Sequence, residues 1–310
     1  MAKINFETTK LVVADPGGQI RDEIRGVLHH EGFRDIVLAE NVKTVEELVA
    51  KGNVDLLIAE HEFPRGNMID LVRRIRHHEL GDNPFIVIIL MAHDPEKEDI
   101  LRIIDTGADD LILKPITAGA LVKRVNFLVS QRKDFVVTAD YIGPTRRSGN
   151  REGELVIPEM EVPNPVQRKA LGQSTGTGFQ KEIDKFADIV NVQKVERNAF
   201  QITFLVETII PLYVDGKAVT DTKKQLDRLK YVSEDIGRRM KGTKYDDVSE
   251  LCVSILGVVN SICKKPNRPD STDLKLLPKL AQAIEVAFST GTGGTDIALS
   301  ISDSVKRRDT

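Results

Sequence analysis

DLLIAEHEFPRGNMIDLVRRIR, residues 55–76, runs from an apolar stretch through a polar turn into an amphipathic segment, the pattern of one buried strand passing into one helix. The pattern repeats in both directions. Upstream lie LVVA (11–14) and IVLA (36–39), and downstream lie FIVIILMA (85–92) and DLILK (110–114). Runs this short and this uniformly apolar suit parallel strands covered on both faces. Helical stretches fall between and after them, near 18–31, 43–51, 67–79, 95–107 and 117–132. Strict β-α alternation predicts an α/β fold over residues 1–133, a doubly wound five-stranded parallel sheet. In such a sheet chemistry belongs at the carboxyl ends of the strands.

Those ends carry Asp15 after the first run, Glu60 after the third, Met91 in the fourth and Lys114-Pro115 after the fifth. With LVVADPGGQIRDEI (11–24), IVIILMA (86–92) and GADDLILKPI (107–116), the order of these segments resembles the response-regulator receiver family over residues 10–132. The resemblance implies a flavodoxin-like strand order. It also implies an aspartate that takes a phosphoryl group from a histidine kinase, with Mg²⁺ held by that aspartate and an acidic pair, since Mg²⁺ prefers hard oxygen ligands.

Lined up on this chain, Glu60 stands at the acceptor position, Ala14 and Asp15 at the acidic pair, and Met91 at the switch hydroxyl. Leu111 stands at the aromatic switch and Lys114 at the phosphate-binding lysine. Glu60, Ala14, Met91 and Leu111 depart from the family pattern. Glu60 carries its carboxylate one methylene further out, which spoils in-line geometry for attack. Ala14 removes a metal ligand, so Mg²⁺ binding is expected to be weakened or lost and no metal or other cofactor is expected. Met91 has no hydroxyl to hold a phosphoryl oxygen. Leu111 lacks the ring that reports the switch. What remains, Glu60 with Asp15 and Lys114, reads in two ways: as a permanent ion pair in which the glutamate, with about one negative charge where an acyl phosphate carries nearly two, partly imitates the phosphorylated state, or with Glu60 as a solvated carboxylate and no mimicry. The resemblance also implies a cis Lys114-Pro115 bond. His61 is expected on the rim, pointing away from Glu60, because neighbours on a strand alternate.

From 134 to 173 periodicity gives way to Pro144, Pro158, Pro163, Pro165, several glycines and the Arg146-Arg147 pair, which predicts a flexible linker. Residues 174–310 predict a helical bundle with a flexible tail. Leu251, Ile255, Val258 and Ile262 share one helical face, as do Leu277, Leu280, Ile284 and Phe288. Further helices are expected over 179–213 and 218–241, with Gly216 and Gly242 as stops. STGTG occurs at 174–178 and 289–293, without the Gly-Lys-Ser/Thr ending or preceding strand of a phosphate loop. DIGRRMKGTKYDDVSELCVSILGVVNSI (235–262) faintly resembles a histidine phosphotransfer bundle with Arg238 in the histidine's place. No histidine follows His93, so this half carries no phosphohistidine. Arg238, Arg239 and Lys241, with Lys244, form a basic cluster that reads as a solvated helix end, with docking of an acidic partner surface as the alternative.

Composition limits the alternatives. The chain has 310 residues, 41% hydrophobic and 29% charged, with net charge −3, which suits two soluble domains. Residues 166–310 carry 23 basic and 19 acidic side chains, so neither half is a strongly basic nucleic-acid binder. With no apolar run of 18 residues and no secretory leader pattern, a cytoplasmic protein away from membranes is expected. Cys252 and Cys263 stand eleven residues apart in one predicted helix, about 16 Å, too far for a disulfide, and are expected as buried fillers. No nucleophile-base pair or metal cluster suggests an enzyme. The expected function is a phosphorylation-independent pseudo-receiver adaptor of a bacterial two-component pathway. Its expected partners are signalling proteins such as a histidine kinase or another response regulator, or a second copy in a homodimer. The contact face implied by the family is 95–132. The alternative is a phosphorylation-dependent regulator with a helical output domain that binds DNA.

Overall fold

Strands β1 (Lys10–Ala14), β2 (Asp35–Ala39), β3 (Leu56–Glu60), β4 (Val87–His93) and β5 (Asp110–Lys114) pair in parallel in the order β2-β1-β3-β4-β5. The computed structural model describes residues 4–146, 157–214, 220–243 and 245–289. Helices α1 (Gly18–His30), α2 (Val42–Ala50), α3 (Met68–Arg76), α4 (Lys97–Ile104) and α5 (Ala118–Ser130) complete the predicted alternation. Asn41, Asn67 and Thr117 start α2, α3 and α5 by accepting from the backbone N–H three residues on, at 2.9, 3.2 and 3.2 Å. Because strand side chains alternate, one face of the sheet presents Val12, Leu57, Ile88 and Leu90 to Val45 of α2 and Leu71, Val72 and Ile75 of α3. The other presents Leu11, Val13, Ile58 and Ile89 to Ile24 and Leu28 of α1 and Leu121 and Val125 of α5.

Two parts of the stretch expected as a flexible linker are regular structure. Strands β6 (Phe135–Val137) and β7 (Ile142–Pro144) form an antiparallel hairpin, and Pro165–Ala170 form α6. Phe135 is fully buried, with the guanidinium carbons of Arg76 and Arg132 at 5.3 and 4.9 Å from its ring centre. Gly107 has φ +86°, and a side chain there would meet the Ile142 carbonyl oxygen at 2.2 Å, so only glycine lets the hairpin approach the turn between α4 and β5 this closely. Asn164 caps α6 by accepting from Gln167 N at 3.1 Å and donates to the Leu128 carbonyl at 2.8 Å. Val166 and Ala170 join the apolar layer over α1 and α5, and the Lys169 ammonium lies 2.6 Å from Asp55.

The chain divides into two compact units, residues 1–190 and 191–310. Helix α7 (Thr177–Val214) begins in the first, where Phe179, Ile183, Ala187 and Val190 pack with Phe85, Phe135, Ile142 and Val162. The second contains the rest of α7 with α8 (Thr220–Met240), α9 (Asp246–Lys264) and α10 (Ser271–Ser289). Ile202, Ile209, Leu229, Ile236, Leu251, Ile255, Leu280 and Ile284 form its core. The predicted apolar faces of 251–262 and 277–288 are the inward faces of α9 and α10. Cys252 is buried, its thiol pushed up to about 12 by burial, whereas Cys263 is exposed and not the filler expected.

The basic cluster also needs correction. Arg239 is buried and turns inward, 3.0 Å from Asp235 and 2.5 Å from the Asn191 side-chain oxygen. Arg238 lies 2.6 Å from the same carboxylate, leaving Lys241 exposed. Burial of Asp235 explains the arrangement: a carboxylate taken out of water needs cationic partners, and Arg238 and Arg239, three and four residues on, supply two of them. Arg147, Gly216, Lys244, residues 290–293 of the second STGTG and the expected tail lie outside the described residues. No described helix is long and apolar enough to cross a membrane.

Candidate functional site

The parallel register sets the carboxyl ends of β1, β3, β4 and β5 side by side, with Ala14 opposite Ala59, Glu60 opposite Met91 and His93 opposite Lys114. The Lys114 ammonium reaches back across the sheet end between two buried carboxylates. It lies 2.6 Å from Asp15 Oδ2 and in hydrogen-bond contact with Glu60 Oε2. The Lys114-Pro115 peptide bond is cis, as the family resemblance implied. The predicted ion cluster of Glu60, Asp15 and Lys114 is therefore assembled. Ala14 and Met91 are fully buried beside it and offer no side-chain oxygen. Leu111 is half-buried and packs with the α2–α3 layer.

His61 is a missed member. It is 8% exposed, not on the rim, and its Nδ1 lies 2.7 Å from Glu60 Oε1 and 3.1 Å from the Met91 carbonyl oxygen. Alternation fails here because β3 ends at Glu60, and the chain turns at His61. The His61 backbone N–H donates to the same Glu60 oxygen at 2.9 Å. The only sequence signal was adjacency at a strand end. Arg21, also unforeseen, donates to the Asp15 carbonyl from α1.

Each charge sets the others. Burial alone pushes the Glu60 carboxyl up, but hydrogen bonds from His61 and Lys114 outweigh it and hold it below its ordinary value of 4.5. The hydrogen bond to Glu60 raises His61 above its ordinary 6.5, against the opposing effect of burial. Burial lowers Lys114, yet Asp15 and Glu60 together leave it raised. A depressed carboxyl contributes stability above its unfolded value and loses it as pH falls through the folded one. A raised imidazole contributes fully below its unfolded value and loses it as pH rises. The two contributions coincide between 4.5 and 6.5. The gap in thermal midpoint between wild type and His61→Gln should therefore be widest in that interval and narrow on either side. A gap flat across a pH series would show that the pairing contributes nothing.

All four carboxylate oxygens of Asp15 and Glu60 accept from protein donors: Gly17 N at 2.7 Å, Lys114 twice, and His61. With Ala14 adding no oxygen and an ammonium between the carboxylates, this donor set does not fit Mg²⁺, which needs a shell of oxygen ligands.

Residues 11–126 match the family model of the response regulator receiver domain. Chemotaxis protein CheY1 of Helicobacter pylori is 29% identical over 123 residues, which are 39% of this chain and 96% of that protein. The phosphate regulon transcriptional regulatory protein PhoB of Pseudomonas aeruginosa is 28% identical over 115 residues, 37% of this chain and 49% of that protein. A solved response regulator receiver protein from Pseudomonas putida is 24% identical over 38% of this chain and 95% of its own, with a TM-score of 0.35. The matched segment contains the whole five-stranded sheet and the strand-end cluster but for Lys10 at the start of β1. Residues 11–126 are thus a receiver domain of the kind found in two-component response regulators.

Proposed function

We propose that the chain is a pseudo-receiver adaptor, a two-component signalling protein that works by binding partners, without phosphotransfer, Mg²⁺ or catalysis. The observation that carries this is the closed triad at the strand ends, in which Lys114 is already bound to Glu60 and Asp15. A phosphoryl group added to either Glu60 oxygen would break that oxygen's contact to Lys114 or His61, and Met91 offers no hydroxyl to hold the product. The domain then stays in one state, set by the glutamate. Its binding face is the one between α4 and α5, where Leu101, Leu113 and Phe127 are exposed by 52, 52 and 41%. A histidine kinase or another response regulator is the class of partner that this reading assigns to it.

Incubating the purified chain with Mg²⁺ and acetyl phosphate, then measuring intact mass, tests the reading. Wild type should gain no phosphoryl mass. A Glu60→Asp variant run alongside reports whether acceptor chemistry is all that was lost. Labelled wild type would replace the adaptor with a phosphorylation-switched regulator.

A further inference from the structure

Helix α7 carries two of its largest apolar side chains outward. Phe200 is 73% exposed and Phe204 59%, and at a spacing of four residues they stand on one line along the helix. The inward side is already occupied, since Ile202, Leu205, Val206 and Ile209 are buried in the core of the second unit. The flanks are occupied too. Gln201 accepts from Arg228 of α8 at 2.8 Å, and the Thr203 hydroxyl lies 3.4 Å from Glu285 of α10. The two rings sit on the outer surface between these contacts. They leave about 250 Å² of aromatic surface in water, taking ~200 Å² for a whole side chain.

We infer that this face binds a second copy of the same chain, with the two α7 helices antiparallel across a two-fold axis level with Ile202. The sequence is self-complementary about that point. Ile202 is midway between the rings, so each Phe200 meets Phe204 of the partner subunit. Arg197 and Glu207 are each five residues from the midpoint, so Arg197 comes level with the partner's Glu207, and the same pairing repeats at the other end. A parallel arrangement would instead set like charges level with one another. The four rings bury about 500 Å² in all, roughly a third of the ~1,600 Å² of a standard interface, with the flanking side chains of the same face supplying a rim. That predicts a reversible dimer. The inference stands apart from the pseudo-receiver reading, because none of these residues lies in the receiver.

Sedimentation equilibrium of the full chain over a dilution series tests it. Wild type should dissociate reversibly from dimer to monomer. Phe200→Asp should weaken the dimer about thirtyfold or more, as loss of a central aromatic anchor does, with the far-UV circular dichroism unchanged because the side chain is exposed. Arg197→Glu and Glu207→Arg should each weaken it, and the double variant should regain most of the loss, which keeps the test decisive even if Phe200→Asp folds poorly. A wild type monomeric at every concentration, a dimer indifferent to Phe200→Asp, or charge reversals whose effects merely add in the double variant would each overturn the proposal.

Discussion

Arg76→Ala is expected to destabilise the receiver by about 3–5 kcal/mol, the cost of breaking a buried ion pair from one side. Arg76 is 1% exposed and donates to the carbonyls of Gly107, Pro84 and Ile86 at 2.8, 2.6 and 2.8 Å and to Asp109 at 2.8 Å. Burial pulls the guanidinium down to about 10, with Asp109 opposing the fall, so it stays charged at neutral pH. Truncation would leave three carbonyls without this donor and Asp109 with Arg132 as its remaining cation, at 2.7 Å. It would also remove one of the two guanidinium groups over Phe135. Arg74→Ala is the control, because Arg74 meets Glu46 at 2.8 Å on the surface and its loss should stay within about 0.5 kcal/mol. Amide hydrogen exchange across β4 and β5 measures both. Equal protection in the two variants would mean that the buried network adds nothing to stability.

Lys114→Met should cost about 3 kcal/mol at neutral pH, because it removes the cation between two buried carboxylates while keeping most of the side-chain volume. The loss should depend on pH. In wild type the depressed Glu60 carboxyl is a stabilising group above 4.5. Without Lys114, His61 is left to oppose burial, the Glu60 carboxyl climbs, and it takes a proton as the solution is acidified. The deficit should therefore be largest near neutrality and shrink as pH falls. Adding Glu60→Gln to Lys114→Met should recover much of the loss at neutral pH. Denaturant midpoints of the single and double variants over a pH series check this. A pH-independent deficit would point to lost packing by the lysine stem and not to uncovered charge.

The receiver was legible because its strands are apolar runs and its helices amphipathic, so local pattern and tertiary role agree. Asp15, Glu60, Met91 and Lys114 were legible for a related reason: strand ends converge by topology, whatever surrounds them. The hairpin at 135–144 was not legible. FVV and IGP are too short for a periodic signal, Pro144 and Gly143 read as breakers, and what holds them is Phe135 under two arginines and the contact with Gly107. His61 was misplaced because alternation was carried one residue past the end of the strand. Arg239 was misread by composition, although its spacing gave a signal. Val232, Ile236 and Arg239 fall at i, i+4 and i+7, on the buried face of α8.

The hairpin and α6 bear on how this receiver can be exchanged with others. The family match ends at residue 126 and α5 ends at Ser130, so a splice designed from sequence would join there. Such a cut would discard Arg132, which pairs with Asp109; Phe135, whose ring covers Arg76; and Ala170, whose carbonyl accepts from Asn5 at 2.9 Å. A chimaera made that way would carry the sheet and the strand-end cluster yet expose Phe85, Arg76 and Asp109 to water. With Phe179, Ile183, Ala187 and Val190 packed on Phe85 and Phe135, the portable module extends past Ala170 to Val190, and a splice at Ser130 cuts inside the compact unit that holds the receiver.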